Sequence, residues 1–179
     1  FADSGIAEAY QRAMATGEPS ATALTDYAPY TPSYEAPASF IASPIEIDGE
    51  IAGALIFQMP IEAVNDIMTV NGQWQDFGLG ETGQAYLVGP DGTLRSESRG
   101  MIEDPSAFTE SLAAAGTPND VVDAIRDDGT AIGHLERDSR AVNEALAGNS
   151  GFTTITGQDG KSAFAAYAPF DYDGTRFAL

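Results

Sequence analysis

The sequence predicts an α+β fold in which antiparallel sheets are flanked by helices. One observation is that β-prone runs are joined by Asp-Gly pairs, which favour tight hairpin turns because Gly tolerates a positive φ. The pairs are Asp48-Gly49, Asp91-Gly92, Asp159-Gly160 and Asp173-Gly174. A second observation is that the order helix, strand, strand, Asp-Gly turn, strand occurs twice along the chain.

The repeat is visible in the residues themselves. Residues 44–49 read PIEIDG and residues 169–174 read PFDYDG, so both run proline, apolar, acid, apolar, Asp, Gly. Each copy is preceded by an apolar strand and, further back, by a helix that a glycine closes, Gly17 or Gly148. The two copies therefore predict two units of the same architecture.

The two predicted units differ in completeness. The Asp91-Gly92 hairpin precedes the second copy and has no counterpart before the first. We therefore expect the C-terminal half of one unit over residues 1–70. A second, nearly complete unit with a truncated last strand is expected over residues 71–179.

The first unit begins with a helix over residues 4–16, where Ser4 is a plausible N-cap and Gly17 ends the apolar stripe. A strand is expected over 21–27. Three prolines between residues 29 and 37 then exclude a helix and disfavour a central strand.

Two strong strands follow, over 39–46 and 51–58, joined across Asp48-Gly49. Pro60 opens a helix at its first turn, because proline lacks the N–H that this position leaves unpaired. Its apolar face is supplied by Ile61, Val64, Ile67 and Met68.

The second unit opens on the apolar run 85–88 and the hairpin at Asp91-Gly92. Residues 101–112 have helical character. Thr117 has the features of an N-cap for a short helix that begins over 121–125, and an Asp-Asp-Gly break follows at 127–129.

The end of the second unit has clearer patterns. A helix is expected over 137–146, ending at Gly148. Three strands follow, over 152–156, 162–169 and 176–179.

Composition excludes several classes of function. The chain of 179 residues has 27 acidic against 8 basic residues and a formal net charge of −19. Such an evenly acidic surface repels phosphate, so we expect no nucleic-acid partner and no docking on anionic lipid. The absence of cysteine excludes disulfides, thiolate metal sites and a cysteine nucleophile.

No apolar run approaches the roughly 18 residues of a membrane span. Because Phe1 is not an initiator residue, we expect a piece of a longer protein. Any membrane-spanning segments would then lie outside it.

No constellation nominates an enzyme, a metal or a cofactor. Residues 78–83 fit G-x-G-x-x-G, but a strand follows where a dinucleotide site needs a helix, which favours a structural turn. His134 is the single histidine, so no triad or histidine metal cluster can be assembled. Asp171 and Asp173 lack the glutamate of a calcium loop.

Residues 95–99, reading RSESR, end the strand after Asp91-Gly92 and leave two interpretations open. If the strand continues, its charged and hydroxyl side chains alternate between opposite faces. In one interpretation Glu97 forms a salt bridge on a solvated face. In the other, polar side chains line a pocket in the second unit, and the candidates are Tyr86, Arg95, Ser96, Ser98 and Tyr167.

Tyr27, Tyr30 and Tyr34, with Asp26, form the densest aromatic and polar cluster in the sequence. A tyrosine offers a flat apolar face and one hydroxyl, which suits small polar organic ligands. The alternative is that these rings cover the sheet edge beside the prolines.

Taken in order, these segments resemble double-Cache sensor domains, the tandem PAS-like extracytoplasmic modules of bacterial chemoreceptors, nucleotide cyclases and sensor kinases. Residues 78–99, GLGETGQAYLVGPDGTLRSESR, are similar to the hairpin that opens the membrane-proximal half. Residues 27–60 resemble the end of the membrane-distal half, and 141–169 the end of the proximal half. The similarity is weakest over 101–138.

The resemblance implies a non-catalytic, extracytoplasmic sensor of a small polar organic ligand. Such a sensor signals across the membrane by shifting its terminal helices, which would lie outside this piece and would also carry a homodimer contact and the membrane spans. It implies no cofactor and a periplasmic or extracellular location. The alternative is a structural or dimerisation module that senses nothing.

The resemblance also implies that the distal pocket carries the ligand. Its candidate residues here are Asp26, Tyr27, Tyr30, Ser39 and Gln58. Family members that bind amino acids tend to place an aspartate on the last distal strand, where this chain has Gln58.

Overall fold

The computed structural model describes residues 4–33, 36–157 and 160–179. The chain divides into two compact units, Phe1–Ala63 (unit 1) and Val64–Leu179 (unit 2). Both combine helices with antiparallel strands, so the predicted α+β class is confirmed. No helix within the described ranges is both long and apolar enough to cross a membrane.

Unit 1 begins with helix α1, Gly5–Thr16, which ends at Gly17 with φ 65° as predicted. A four-stranded antiparallel sheet follows. Its strands are β1 Ala23–Leu24, β2 Ala28–Pro29, β3 Pro37–Ile47 and β4 Glu50–Met59.

Strand β3 is the centre of this sheet. It pairs with β4 along one edge, from Ser39 opposite Met59 to Ile47 opposite Glu50. The short strands β1 and β2 pair with successive parts of its other edge. The predicted hairpin is confirmed in detail, because Asp48 and Gly49 have φ of 54° and 85°, the two positive values of a type I′ turn.

The predicted strand over 21–27 is wrong in length, because β1 has only two residues. At its end the carboxylate of Asp26 accepts a hydrogen bond from the backbone N–H of Tyr27, 2.7 Å away, a local contact that competes with strand pairing. The proline-rich stretch forms a 3₁₀ turn, Thr31–Ser33, which agrees with the exclusion of a longer helix.

The core of unit 1 lies between α1 and one face of the sheet. It is built from small side chains around one aromatic ring: Ala9, Ala13, Ala23, Ala38, Phe40 and Ala42. A Cβ on Gly5 would lie 3.1 Å from the Phe40 ring, so this glycine allows the close approach of helix and sheet.

Helix α2, Ile61–Thr69, links the units in sequence and follows Pro60 as predicted. The described residues of unit 2 form further helices, which are α3 Arg99–Glu103, α4 Pro105–Ala114, α5 Asn119–Asp128 and α6 Arg140–Leu146.

Three helix boundaries differ from the prediction. The single helix expected over 101–112 is two helices, because Asp104 caps α4 by accepting from the N–H of Ala107 and Pro105 begins a new first turn. Helix α5 has Pro118 rather than Thr117 at its N-cap position. Helix α6 begins at residue 140 because the Ser139 side chain caps it.

The strands at the end of unit 2 form two hairpins. Strand β5, Gly151–Thr156, pairs with β6, Ser162–Tyr167, and β7, Pro169–Tyr172, pairs with β8, Thr175–Ala178. The turn at Asp173-Gly174 has φ of 49° and 78°, so the two copies of the repeated motif form the same kind of turn. Of the Asp159-Gly160 turn, Asp159 lies outside the described residues.

The hairpin at Asp91-Gly92 has a turn but no regular ladder. Val88 forms isolated bridges with Leu94 and with Ala178. The expected second strand keeps two backbone hydrogen bonds to the first, from Gly89 to Thr93 and from Arg95 to Leu87, and also bonds to residues 131–136. There the N–H of Leu94 donates to the carbonyl of Leu135, and the N–H of Gly133 donates to the carbonyl of Leu94. The segment therefore bonds to two neighbouring parts of the chain, residues 87–89 and residues 131–136, rather than to one partner strand.

The core of unit 2 gathers side chains from these segments and from helices α3 to α6. Its fully buried members are Val88, Leu94, Leu112, Ile125, Ala131 and Ala145. Trp74, the only tryptophan, is buried in the same unit and gives a fluorescence signal for its unfolding.

Replacing Ile125 by Ala is expected to destabilise unit 2 by about 2–5 kcal/mol, because Ile125 is fully buried and a cavity remains. The matched change Ile67→Ala should cost at most about 0.5 kcal/mol, since Ile67 is 76% exposed. Urea unfolding followed by Trp74 fluorescence measures both. Equal losses for the two variants would contradict this core.

Candidate functional site

Five consecutive polar residues, Arg95 to Arg99, are buried in unit 2, each with less than a tenth of its surface exposed. Glu97 is only 7% exposed, so its interpretation as part of a solvated face is wrong. The alternation expected of a strand is also absent, because all five residues are buried and the segment leads into α3 at Arg99. Each side chain is held by groups from other positions in the chain.

The Glu97 carboxylate binds the loop that follows α5. It accepts from the hydroxyl of Thr130 at 2.7 Å and from the N–H of Ala131 at 3.2 Å. The N–H of Ser98 also donates to it, at 2.9 Å. An ionised carboxylate accepts such bonds strongly, so Glu97 fixes residues 130–131 against the segment after the hairpin.

Arg95 folds back onto its own turn. Its Nη2 lies 3.0 Å from Oδ2 of Asp91, and its Nη1 donates to the carbonyl and hydroxyl of Thr93. Partial burial alone would raise the pKa of Asp91, but hydrogen bonds from Arg95 and from the N–H of Thr93 outweigh it and lower that pKa. The guanidinium also lies where a side chain on residue 89 would be, so a larger residue than Gly89 would displace Arg95 from this position.

The two predicted serines support the same hairpin. Ser96 Oγ accepts from the N–H of Leu87 at 2.9 Å. Ser98 Oγ lies 3.5 Å from Oε1 of Gln84. Both hydroxyls are thus engaged within unit 2, and their role as ligand contacts stays a prediction.

Arg99 organises the glycine-rich stretch that precedes the hairpin. Its Nη1 donates to the carbonyls of Gly80 and Gly83, both at 3.0 Å, and its Nε lies 2.8 Å from the carboxylate of Glu103. The ring of Trp74 lies beneath the guanidinium at 4.6 Å. Because carbonyl oxygens of this stretch face a cation, the geometry agrees with a structural turn.

Tyr86 and Tyr167, the remaining predicted residues of unit 2, are half-buried and pack against the core. Tyr167 lies opposite Gly151, where its hydroxyl would be 2.9 Å from an added Cβ. The face of the Tyr86 ring lies 5.2 Å from the guanidinium carbon of Arg137.

Arg137 is a residue that the sequence did not single out. Its backbone N–H donates to the carbonyl of Gly92 at 2.8 Å, which places it beside the hairpin turn. Its Nε and Nη2 are buried, and no described residue accepts a hydrogen bond from either. Burial lowers the pKa of this guanidinium, and Tyr86 opposes that shift.

In unit 1 the predicted residues fall into two small groups. The first is Asp26 with Tyr27, whose phenol is half-buried. Burial, followed by the nearby charges of Asp26 and Glu62, raises the pKa of Tyr27 to about 12. The phenol is therefore a neutral hydrogen-bond donor at any physiological pH.

The second group surrounds Phe40. The Tyr30 ring meets the Phe40 ring edge-on at 4.9 Å, and Gln58 lies opposite Phe40 on β4. Gln58 is exposed, and its Nε2 donates to Ser33 Oγ at 3.2 Å.

Ser39 is buried and donates to the carbonyl of Thr25 at 2.6 Å, within the sheet. Tyr34 lies outside the described residues. The structure thus joins Tyr30 to Phe40 and Asp26 to Tyr27, whereas Ser39 is engaged by the backbone.

Neither a metal cluster nor a catalytic triad is apparent in the described part of the chain. It holds no group of three or more His, Asp or Glu side chains that could bind a metal ion. His134 Nε2 lies 2.8 Å from Oδ2 of Asp128 in a surface pair. A groove of about 340 Å³ lies beside α3, α4 and α5, lined by Met101, Thr109 and Arg126 among others, and contains none of the predicted residues.

No protein-family model matches this chain, and no curated protein matches it. Several solved structures are similar to it. The chain is similar to methyl-accepting chemotaxis protein X, with a TM-score of 0.55 and 16% identity over 96% of this chain and 52% of that one.

Two ligand-binding domains of chemoreceptors are also similar. One is that of Pseudomonas fluorescens CtaA in complex with L-alanine, with a TM-score of 0.51 and 14% identity over 95% of this chain and 56% of that one. The other is that of the Pseudomonas aeruginosa amino-acid chemoreceptor PctC in complex with GABA, with a TM-score of 0.50 and 15% identity over 94% and 57%.

The chain has the fold of these chemoreceptor ligand-binding domains. The resemblance inferred from the residues is confirmed at the level of the fold. The chain spans about half the length of these structures, 52% to 57% of each.

Replacing Glu97 by Ala is expected to destabilise unit 2 by at least about 2 kcal/mol, because two buried N–H donors and the part-buried Thr130 hydroxyl lose their acceptor. Urea unfolding followed by Trp74 fluorescence is the measurement. Glu110→Ala, at an exposed position of α4, should change the stability by no more than about 0.5 kcal/mol. A Glu97→Ala chain as stable as Glu110→Ala would show that the carboxylate does not hold the loop.

A titration of tyrosinate absorbance is expected to show a step near pH 12 that Tyr27→Phe removes and Tyr10→Phe retains. Because the folded chain holds the Tyr27 proton more tightly than the unfolded chain, unit 1 should also lose stability as the pH rises from 10 to 12. The loss should be about 1 kcal/mol, since solvent screens this half-exposed phenol. A Tyr27→Phe chain with an unchanged titration would refute the assignment.

Proposed function

We propose that this chain belongs to the extracytoplasmic small-molecule sensing domain of a bacterial transmembrane receptor, which passes ligand binding to a cytoplasmic output module. The observation that carries the proposal is its likeness, over 94% to 95% of its length, to chemoreceptor ligand-binding domains. In this assignment residues 1–70 are the membrane-distal unit and residues 71–179 the membrane-proximal unit.

The proposed activity is binding without catalysis. The similar structures are ligand-binding domains. The ring of the lone histidine is paired with Asp128, a carboxylate and not a serine or threonine nucleophile. Binding to one of two arrangements of the domain would shift their populations, by no more than the difference in the ligand's affinity for them.

In unit 1 we assign ligand contacts to Asp26, Tyr27, Tyr30, Ser39 and Gln58. Tyr27 supports this best, because its neutral phenol is a hydrogen-bond donor in the electrostatic field of the Asp26 carboxylate, which is an acceptor. Gln58 supports it through an exposed amide at the end of β4. A small polar organic molecule matches such groups.

The ligands named for the similar structures guide the choice of compounds. CtaA holds L-alanine and PctC holds GABA, both of which combine an ammonium with a carboxylate. This chain has Asp26 as an anionic group of unit 1 for an ammonium. We therefore place amino acids, amines and short carboxylates first in a screen.

A structural or dimerisation module is the second candidate. It is favoured by the internal hydrogen bonds of the predicted residues, since Ser39 donates to Thr25 and Gln58 to Ser33. In that case the polar groups serve the sheet and no compound binds.

A thermal-shift screen of amino acids, amines, carboxylates and purines distinguishes the two candidates. A true ligand at 100 times its Kd should add about 2.7 kcal/mol of stability. Tyr27→Ala should reduce the shift for a ligand of unit 1, whereas Tyr10→Ala, on the outer side of α1 and 44% exposed, should retain it. A screen without any shift would favour the structural module.

A further inference from the structure

Arg137 differs from the arginines of the buried segment 95–99. The guanidinium of Arg95 is paired with Asp91 at 3.0 Å, and that of Arg99 with Glu103 at 2.8 Å. Arg137 forms no ion pair with any described residue, although the chain has 27 acidic residues.

The two unsatisfied nitrogens of Arg137 are Nε and Nη2. These nitrogens lie along one edge of the planar guanidinium, and their N–H bonds point in nearly the same direction. That edge matches the two oxygens of a carboxylate, which can accept both hydrogen bonds at once. The unsatisfied donors are therefore a complete bidentate binding edge.

Burying these two donors is costly, because they leave water without gaining a hydrogen-bond acceptor. Buried unsatisfied donors are rare in native proteins, and each one calls for an explanation. The ring of Tyr86 at 5.2 Å offsets part of this cost through a cation–π contact, but a ring face accepts no hydrogen bond along the guanidinium edge.

We propose that Arg137 and Tyr86 form a binding site in unit 2 for the carboxylate of a small organic acid. The Nε and Nη2 edge binds the carboxylate and the Tyr86 ring packs against the guanidinium face. The inference rests on the proposed sensing function and adds a second site and a ligand class to it.

Binding at this site is coupled to a movement of the chain. Nε and Nη2 are enclosed, so a carboxylate reaches them only when a neighbouring segment opens. Arg137 is joined through its backbone N–H to Gly92 at the hairpin turn, and residue 136 bridges to Thr93. The loop before α6 and the hairpin turn therefore move together when the site fills.

The first experiment titrates the full chain with acetate, propionate, succinate and benzoate, each against its neutral amide at matched ionic strength. Trp74 fluorescence follows thermal unfolding of unit 2. At least one carboxylate should raise the midpoint in a saturable way, and its amide should not. Arg137→Gln should raise the Kd for that carboxylate by about tenfold or more, because a charged pair of hydrogen-bond donors is lost.

Arg140→Gln is the matched control. Arg140 is exposed at the start of α6 and carries the same charge three residues away. It should bind the carboxylate as the parent chain does. Equal weakening by Arg137→Gln and Arg140→Gln would mean a general charge effect and would overturn the site.

A second experiment needs no ligand. Arg137→Met should leave the urea midpoint unchanged or raise it, because no internal partner is lost. Arg95→Met should lower it, since Asp91 and Thr93 lose their donor. If Arg137→Met lowered the urea midpoint as much as Arg95→Met does, Arg137 would have a partner within the folded chain and the proposal would be overturned.

The outcomes separate the two proposals. If L-alanine or GABA stabilises the parent chain and Arg137→Gln equally, and no carboxylate of the panel depends on Arg137, sensing stands and this site is refuted. If no compound of either panel raises the midpoint, both proposals fail.

Discussion

The burial of Arg95 to Arg99 is the constraint on which unit 2 depends. Five polar side chains in a row can leave water only if each finds a partner. Arg95 pairs with Asp91 and donates to the Thr93 oxygens. Glu97 accepts hydrogen bonds from the loop at 130–131, and Arg99 donates to carbonyls of the glycine-rich stretch before the hairpin. One short segment thereby fixes three others.

This arrangement explains why a weak ladder suffices at the Asp91-Gly92 hairpin. The backbone of Leu94 is shared between Leu135 and Gly133, and the side chains of the next residues add bonds that a strand would otherwise supply. Charge-assisted hydrogen bonds are about twice as strong as neutral ones, so a few of them replace several ladder bonds. The cost is that any unpaired charge in the same region is expensive, which is why Arg137 stands out.

Local signals predicted much of the fold. The positive φ values at Asp48-Gly49 and Asp173-Gly174 follow from residues that tolerate them, and Gly17 closes α1 for the same reason. Asp104 and Ser139 cap two helices in the structure, but the helical pattern runs across both positions. The sequence therefore placed the start of α6 too early and missed the break before α4. Boundaries of this kind depend on which of two local preferences the tertiary contacts favour.

The candidate sites were less predictable, because they depend on contacts between distant positions. Nothing in the spacing of RSESR indicates that Glu97 meets Thr130, and alternation left both a solvated face and a pocket open. Likewise, Arg137 has the sequence context of an ordinary base at the start of a helix. Only the fold shows that two of its nitrogens are buried beside Tyr86 without an acceptor among the described residues. The sequence predicted the tyrosines of unit 1 as a cluster. It did not predict that Tyr30 contacts Phe40 or that Tyr27 lies near the charge of Glu62.

The central claim is that this fold binds a small molecule and responds to it. Amide hydrogen exchange of the full chain, with and without a saturating concentration of the compound that gives the largest thermal shift, tests it most directly. Binding in unit 2 should slow exchange over residues 85–95 and 131–139, and binding in unit 1 over residues 25–40. Exchange that stays the same in both regions, or slows uniformly along the chain, would contradict a localised sensing site.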